Sequence, residues 1–172
     1  LNSKIRQLLR YARPAPHIDQ PVDLGGVVGG ILTLARAEAD RRQVRLEWES
    51  PATPCTVHGG EEAASDIVSN LVGNALEASP DGATIRVRVA QESDMESSVF
   101  LTVEDEGSGI PPDLREKVFQ PFFTTRPGGT GLGLAIVARR AEEIGGTVEL
   151  ISPAEGKGKG GACFRVRFRA AH

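Results

Sequence analysis

The chain has 172 residues, 40% of them hydrophobic and 25% charged, the composition of an ordinary globular domain with a sizeable core. A formal net charge of −3, with no basic block, argues against broad nucleic-acid binding. No run is long enough to span a bilayer, no signal peptide is visible, and two distant cysteines (Cys55, Cys163) with three scattered histidines cannot build a zinc site and imply a reduced compartment or nothing at all.

Ile5, Leu8, Leu9 and Ala12 recur at helical spacing until Pro14 and Pro16 stop them. The chain opens on Leu1 in mid-helix pattern, so this reads as the end of a helix begun upstream in a longer protein. So short a helix cannot hold itself together alone. A second helix is expected from Asp23 as N-cap, with Leu24, Val27, Val28, Ile31 and Ala35 facing inward. Gly25, Gly26, Gly29 and Gly30 each weaken it by about 1 kcal/mol relative to alanine. VRLEWE, 44–49, alternates like a strand, and a short extended piece lies around Thr56 to His58.

A third helix is expected from about Glu61 to Ala78, broken by the turn chemistry of Ser79-Pro80-Asp81-Gly82. Strands follow at 84–90 and 98–104, then a glycine- and proline-rich middle and a helix from about Gly131 to Ile144. The chain closes with the strands TVELIS and ACFRVRFR, joined by a loop rich in Gly and Lys. In the last strand Ala162, Phe164, Val166 and Phe168 face one way and Arg165, Arg167 and Arg169 the other. That alternation predicts a half-buried sheet covered by helices on one face, an α+β two-layer architecture.

Three segments carry candidate chemistry. NLVGNALEA, 70–78, sets Asn70, Asn74 and Glu77 in a polar column on an otherwise apolar helix, where asparagine is a poor interior residue. Taken alone, the column is better explained as a polar border beside the stripe of Ile67, Leu71, Ala75 and Ala78. VEDEGSGIP, 103–111, places Asp105 just beyond a strand, where a carboxylate can accept from an exocyclic amine such as that of adenine. Gly107 and Gly109 then let a flat ring approach the backbone. A plain Asx turn accounts for the same residues.

RPGGTGLGLAI, 126–136, clusters Gly128, Gly129, Gly131 and Gly133 at a helix start, with Thr130 a candidate N-cap. Free N–H groups and the positive dipole end converge there as a phosphate cradle, or the loop merely caps a helix. Neither the common phosphate loop nor the dinucleotide glycine fingerprint completes. Between these segments, Phe119, Phe122 and Phe123 read as apolar anchors of a lid whose Thr124, Thr125 and Arg126 offer hydroxyls and a cation to phosphates.

In order, Asn-x-x-x-Asn-Ala, Asp-x-Gly-x-Gly, Phe-x-Pro-Phe-Phe-Thr-Thr and Gly-Thr-Gly-Leu-Gly-Leu resemble the catalytic, ATP-binding domain of sensor histidine kinases, over roughly residues 17–169. These belong to the GHKL ATPase superfamily with gyrase and MutL. The resemblance implies a Bergerat-type fold, a two-layer α/β sandwich with a mixed, mostly antiparallel sheet covered on one face by helices. ATP would lie between the asparagine helix, the Asp105 loop and the lid, with ADP as product. Asn74 would be the Mg²⁺ ligand with Asn70 its companion, consistent with a hard cation that takes few protein oxygens and keeps waters. Asp105 would accept from the adenine amine, beside Gly107, Gly109 and Ile110. Glu77, Phe119, Thr124, Thr125, Gly129, Thr130, Gly131, Leu132 and Gly133 complete the implied nucleotide set. Asn70, Asn74 and Arg126 form the implied catalytic group.

ATP-hydrolysing GHKL members carry a glutamate at the place of Asn70, and an amide cannot take a proton from water. The Asn-Ala-x-Glu-Ala form looks like the nitrogen-regulation type of sensor kinase, with Glu77 where some kinases carry a lysine. The resemblance further implies a division into residues 1–16, the end of a dimerisation helix, and 17–172, the catalytic domain. The phosphoacceptor histidine would lie on a helical domain absent from this chain, since His17, His58 and His172 lack the acidic neighbour and amphipathic helix of such a site. Implied partners are that dimerisation domain and the receiver domain of a response regulator, in a cytoplasmic setting. The full-length protein would be a homodimer, with the fragment able to stand as a monomer. The rivals are a gyrase- or MutL-like ATPase clamp, a non-catalytic nucleotide-binding module, and a serine-kinase or anti-sigma relative.

Overall fold

The computed structural model describes residues 3–13, 20–92, 97–151 and 160–171. Among them, helices run over Ser3–Ala12 (α1), Leu24–Arg41 (α2), Gly60–Ala78 (α3) and Gly133–Glu143 (α4). Strands run over Val22–Asp23 (β1), Arg45–Glu49 (β2), Thr56–Val57 (β3), Thr84–Glu92 (β4), Ser98–Glu104 (β5), Thr147–Ile151 (β6) and Cys163–Arg169 (β7). Pro14, Pro16, His17, His172, the 16/17 boundary and most of the Gly/Lys loop lie outside the described residues.

Five strands form one mixed sheet in the order β2-β4-β5-β7-β6, with β2 and β4 parallel and the other pairings antiparallel. β1 and β3 make a separate antiparallel ladder. The period-2 alternation sends Ile85, Val87, Val89, Val99, Leu101, Val103, Phe164, Val166 and Phe168 to one face, each at most 3% exposed. Register stacks them, with Leu101 opposite Val166 and Val103 between Val87 and Phe164. The other face carries ion pairs such as Arg86–Glu47 at 3.3 Å and Arg165–Glu92 at 2.8 Å. Such exposed pairs contribute about 0–1 kcal/mol each, so the buried face holds the sheet together.

α2, α3 and α4 cover that buried face, giving the expected two layers. α3 contributes Ala63, Ile67, Val68, Leu71, Val72, Ala75 and Leu76 to the core. α2 forms from its first turn in spite of its glycines. The Asp23 carboxylate accepts from the N–H groups of Gly25 and Gly26 at 3.2 Å each, and Leu24, Val28 and Leu32 are buried. Burying each aliphatic side chain contributes about 1.5–3 kcal/mol, which outweighs the glycine penalty.

α1 turns its apolar stripe outward. Its apolar positions Ile5, Leu8 and Leu9 are 49%, 47% and 57% exposed, while its other side docks on α4. There the Arg139 guanidinium lies 5.3 Å from the Tyr11 ring centroid and donates to the Tyr11 carbonyl. The long β5–α4 connection, with short 3₁₀ turns at Pro112–Leu114 and Lys117–Phe119, brings the predicted lid beside α3.

Candidate functional site

The polar column of α3 borders the buried stripe and faces the lid. Asn70 Nδ2 donates to the Asp66 carbonyl at 2.7 Å, a bond inside the helix that uses one of the amide's two N–H donors. Its Oδ1 is left towards α4, 3.4 Å from where a Cβ on Gly133 would stand. Asn74 Oδ1 accepts from Arg126 Nη1 at 3.1 Å, and the same Nη1 donates to Glu77 Oε2 at 3.0 Å. Arg126 Nη2 also reaches the Asn74 carbonyl at 3.5 Å. The lid arginine thus bridges the two polar residues at the exposed end of the column.

Asp105 follows β5 and is 4% exposed. Its Oδ1 accepts from the N–H of Gly107 at 2.9 Å and that of Ala162 at 3.2 Å, which ties the loop to the start of β7. Both donors go to Oδ1, so Oδ2 is the oxygen a ligand amine could meet. Burial raises this carboxyl's pKa, against the pull of those two N–H groups and the Arg126 charge. Nearby Cys163, pushed to about 11 by burial and by Glu104 and Asp105, stays a protonated packing thiol.

The glycines serve mainly to let the chain approach itself. A Cβ on Gly107 would stand 2.6 Å from the Ala78 carbonyl oxygen, and one on Gly161 2.0 Å from that of Asp105. Gly109 has φ +74° and abuts Gly161. Gly131 has φ +68°, and a Cβ there would lie 2.4 Å from the Phe122 carbonyl carbon. Gly131 in turn accepts from the Phe122 N–H at 2.9 Å, pinning the lid to the start of α4.

Two expectations are corrected here. α4 starts at Gly133 with Leu132 at the cap, and Thr130 is not its N-cap. The left-handed turn at Gly131 delays the helix, so the Thr130 hydroxyl accepts from the Leu132 N–H at 3.3 Å from outside it. Phe122 is not an apolar anchor but is 65% exposed at φ 66°. Phe119 does anchor, meeting Phe164 edge-to-face with ring centroids 6.0 Å apart.

One cavity of about 720 Å³ is lined by Asn70, Asn74, Glu77, Asp105, Gly109, Ile110, Thr124, Thr125, Arg126, Gly129, Thr130, Gly131 and Gly133. A volume of this order suits a nucleotide-sized ligand. Gly107, Phe119 and Leu132 are not among the lining residues. Ser69, Gly73, Ser108, Val118, Leu134 and Ala162 line it without having been singled out, and so do Lys4 and Gln7 of α1. For α3, the neighbours of Asn70 and Asn74 one residue away were a readable signal. For α1 there was none, because docking onto α4 depends on tertiary contacts.

Among the described residues no group of three His, Cys, Asp or Glu could hold a metal ion. The oxygens of Asn74 and Glu77 nevertheless converge on a cationic group, the Arg126 guanidinium. That donor set suits a hard cation completed by phosphate oxygens and water.

The family described as histidine kinase-, DNA gyrase B-, and HSP90-like ATPase matches residues 59–172. The sensor histidine kinase ZraS of Salmonella typhimurium is 36% identical over 158 residues, 92% of this chain and 33% of that protein. Sporulation kinase A of Bacillus subtilis is 28% identical over 165 residues, 95% of this chain and 26% of that protein. The chain spans about a third or less of the length of these relatives. Among solved structures, the mycobacterial sensor histidine kinase MprB superposes with a TM-score of 0.77 at 29% identity, over 89% of this chain and 98% of that one. Full-length ShkA in complex with AMPPNP superposes with a TM-score of 0.79 at 28% identity, over 98% of this chain and 36% of that one.

Proposed function

We propose a function from one premise: the chain belongs to the family of histidine kinase-, DNA gyrase B-, and HSP90-like ATPases. It is the ATP-binding catalytic domain of a two-component sensor histidine kinase. The whole protein moves the γ-phosphate of Mg·ATP to a histidine on its helical dimerisation domain, and from there to an aspartate on a response regulator. The observation that carries this reading is the single cavity shared by Asp105, the asparagine column and the glycine-rich start of α4.

In that cavity the adenine amine donates to Asp105, and the phosphates lie against the backbone N–H groups and positive dipole end at the start of α4. Mg²⁺, when bound, neutralises phosphate charge, and Asn74 with Asn70 would hold it through amide oxygens. Arg126 exchanges Asn74 and Glu77 for the triphosphate, a change made easy because the contact is partly solvated. Asn70 cannot accept a proton, so it cannot be the general base that activates water. An acceptor histidine brings its own nitrogen lone pair, so transfer rests on positioning and charge neutralisation.

Residues 1–16 then end a dimerisation helix, a reading supported by the exposed stripe of Ile5, Leu8 and Leu9 on α1. None of the described helices is long and apolar enough to cross a membrane. The kinase reading puts this domain in the cytoplasm, with ATP and the response regulator, within a homodimeric full-length protein.

Mixing the chain with Mg·ATP and a purified helical hairpin bearing the acceptor is expected to give a phosphohistidine. No transfer under any condition removes the kinase claim. Phosphate release without an acceptor would favour an ATPase clamp, and no adenine-nucleotide binding would favour a non-catalytic module.

A further inference from the structure

We propose that Glu77 is a metal-positioning residue: it exchanges the Arg126 guanidinium for the bound water of Mg²⁺, so that the metal enters this site only together with a nucleotide. This rests on the nucleotide reading above, in which Arg126 moves to the triphosphate. It adds a carboxylate that the amide ligands Asn74 and Asn70 do not supply.

Asn74 and Glu77 stand three residues apart on α3, so their side chains share a face of the helix. Asn74 Oδ1 and Glu77 Oε2 both lie within hydrogen-bond reach of one nitrogen, Arg126 Nη1, at 3.1 and 3.0 Å. Two oxygens from different side chains thus already converge on one positive group. In the nucleotide-free chain the guanidinium stands in for the hydrated metal. Mg²⁺ is a hard cation that keeps several of its waters. An amide oxygen can therefore take the ion while a carboxylate beside it accepts from a bound water.

The exchange needs no opening of the lid. The Arg126 N–H donates to the Thr124 hydroxyl at 3.1 Å, and the Arg126 carbonyl accepts from the Gly129 N–H at 3.1 Å, so the backbone is held. The side chains of Arg126 and Glu77 are 37% and 60% exposed, and so solvated a pair holds weakly. Rotation of the arginine side chain is enough to break it.

Charge gives the exchange its direction. Glu77 lines the same cavity as Asp105 and the glycine-rich approach to α4. With Arg126 on the triphosphate, Glu77 faces several negative charges with no guanidinium between them, a repulsion that weakens binding. A divalent cation between the carboxylate and the phosphates reverses that sign. Without nucleotide, Arg126 stays on both oxygens and bars the metal by occupancy and by like charge.

The test is calorimetric titration of ATP, with Mg²⁺ and with EDTA, into the chain and its Glu77→Gln and Glu77→Asp variants. Free Mn²⁺ is followed by electron paramagnetic resonance as it is added to the native chain and to Arg126→Gln, both without nucleotide. Glu77→Gln is expected to weaken Mg·ATP about tenfold while metal-free ATP binds as tightly as to the native chain, or more so. Glu77→Asp recovers part of the loss. The native chain takes up no Mn²⁺, and Arg126→Gln takes it up weakly. Mg·ATP affinity in Glu77→Gln equal to or above native would show that Glu77 only holds the empty lid or repels phosphate, and overturns the proposal. An equal loss with and without metal, the mark of a structural defect, overturns it too, as does Mn²⁺ uptake by the native chain or none by Arg126→Gln. Each of these leaves the nucleotide reading intact, whereas no binding of ATP by the native chain would bring down both.

Discussion

At the scale of single residues, Asp105 and Asn74 are where chemistry and stability pull in different directions. Burial raises the Asp105 pKa above the ordinary 3.8, so the folded chain without nucleotide holds that proton more tightly than the unfolded chain does. The stability this group contributes is therefore present below the ordinary value and lost as pH rises through the folded-state midpoint. Adenine binding runs the other way, because the amine needs an ionised acceptor. Affinity for ATP should fall on acidification with a midpoint above that of an ordinary aspartate, as a pH series of titrations would show. Asp105→Ala should cost about 2 kcal/mol of ATP affinity, roughly thirtyfold, and erase the preference for ATP over GTP. Asn74→Ala should instead remove the Mg²⁺ dependence of binding while sparing the adenine preference. Asp105 was readable as an acceptor because it closes a strand just before two glycines. The role of Gly107 was not, since what crowds it is the Ala78 carbonyl at the end of α3, a neighbour that linear order does not reveal.

Elements divide by whether their signal is local. α2, α3 and the strands were legible because burial repeats with the period of the element, and Asp23 caps α2 where the pattern begins. The buried face of β7 follows from the alternation of Phe164, Val166 and Phe168 with arginines. The docking of α1 was not legible, because its apolar stripe is not what meets α4. The start of α4 was placed early because the left-handed turn at Gly131 holds it back. That turn separates two glycines that look alike in sequence. Gly128 has φ +76° with nothing within 4 Å of an added Cβ, whereas Gly131 faces Phe122 backbone at 2.4 Å. Gly128→Ala should cost the left-handed strain, about 1–2 kcal/mol, and affect ATP binding less than Gly131→Ala does. Gly131→Ala must push the lid off α4 and is expected to lower ATP affinity tenfold or more. Parallel titrations and melting curves distinguish the two, and equal behaviour would mean the lid–α4 contact does not shape the site.

The whole molecule is joined at Arg140, where three helices meet. Its Nε donates to Asp66 Oδ2 at 3.0 Å on α3 and its Nη1 to Glu143 Oε2 at 2.8 Å on α4, while Arg10 of α1 stands 3.9 Å from Asp66 Oδ1. Asp66 also offers its carbonyl to Asn70, so the same residue braces the core and the asparagine column. Nothing local announces this hub: an aspartate in one apolar helix and an arginine in another read as separate surface charges until packing buries both. Removing one partner of a buried pair leaves the others uncompensated. Arg140→Met should therefore destabilise the fold by about 3–5 kcal/mol in denaturant titrations. The acid limb offers a second reading. Burial raises the Glu143 pKa, but hydrogen bonds from Arg140 and Arg139 outweigh it and hold the group below its ordinary 4.5. The stability it contributes is present above that value and lost as pH falls through the folded-state midpoint. With Arg139 still in contact at 2.9 Å, the variant should keep part of this dependence and lose the rest. An Arg140→Met chain as stable as the native one, with the same acid limb, would show that the three helices are fastened by their apolar contacts alone. The coupling of α1 to the asparagine column through Asp66 would then have no energetic basis.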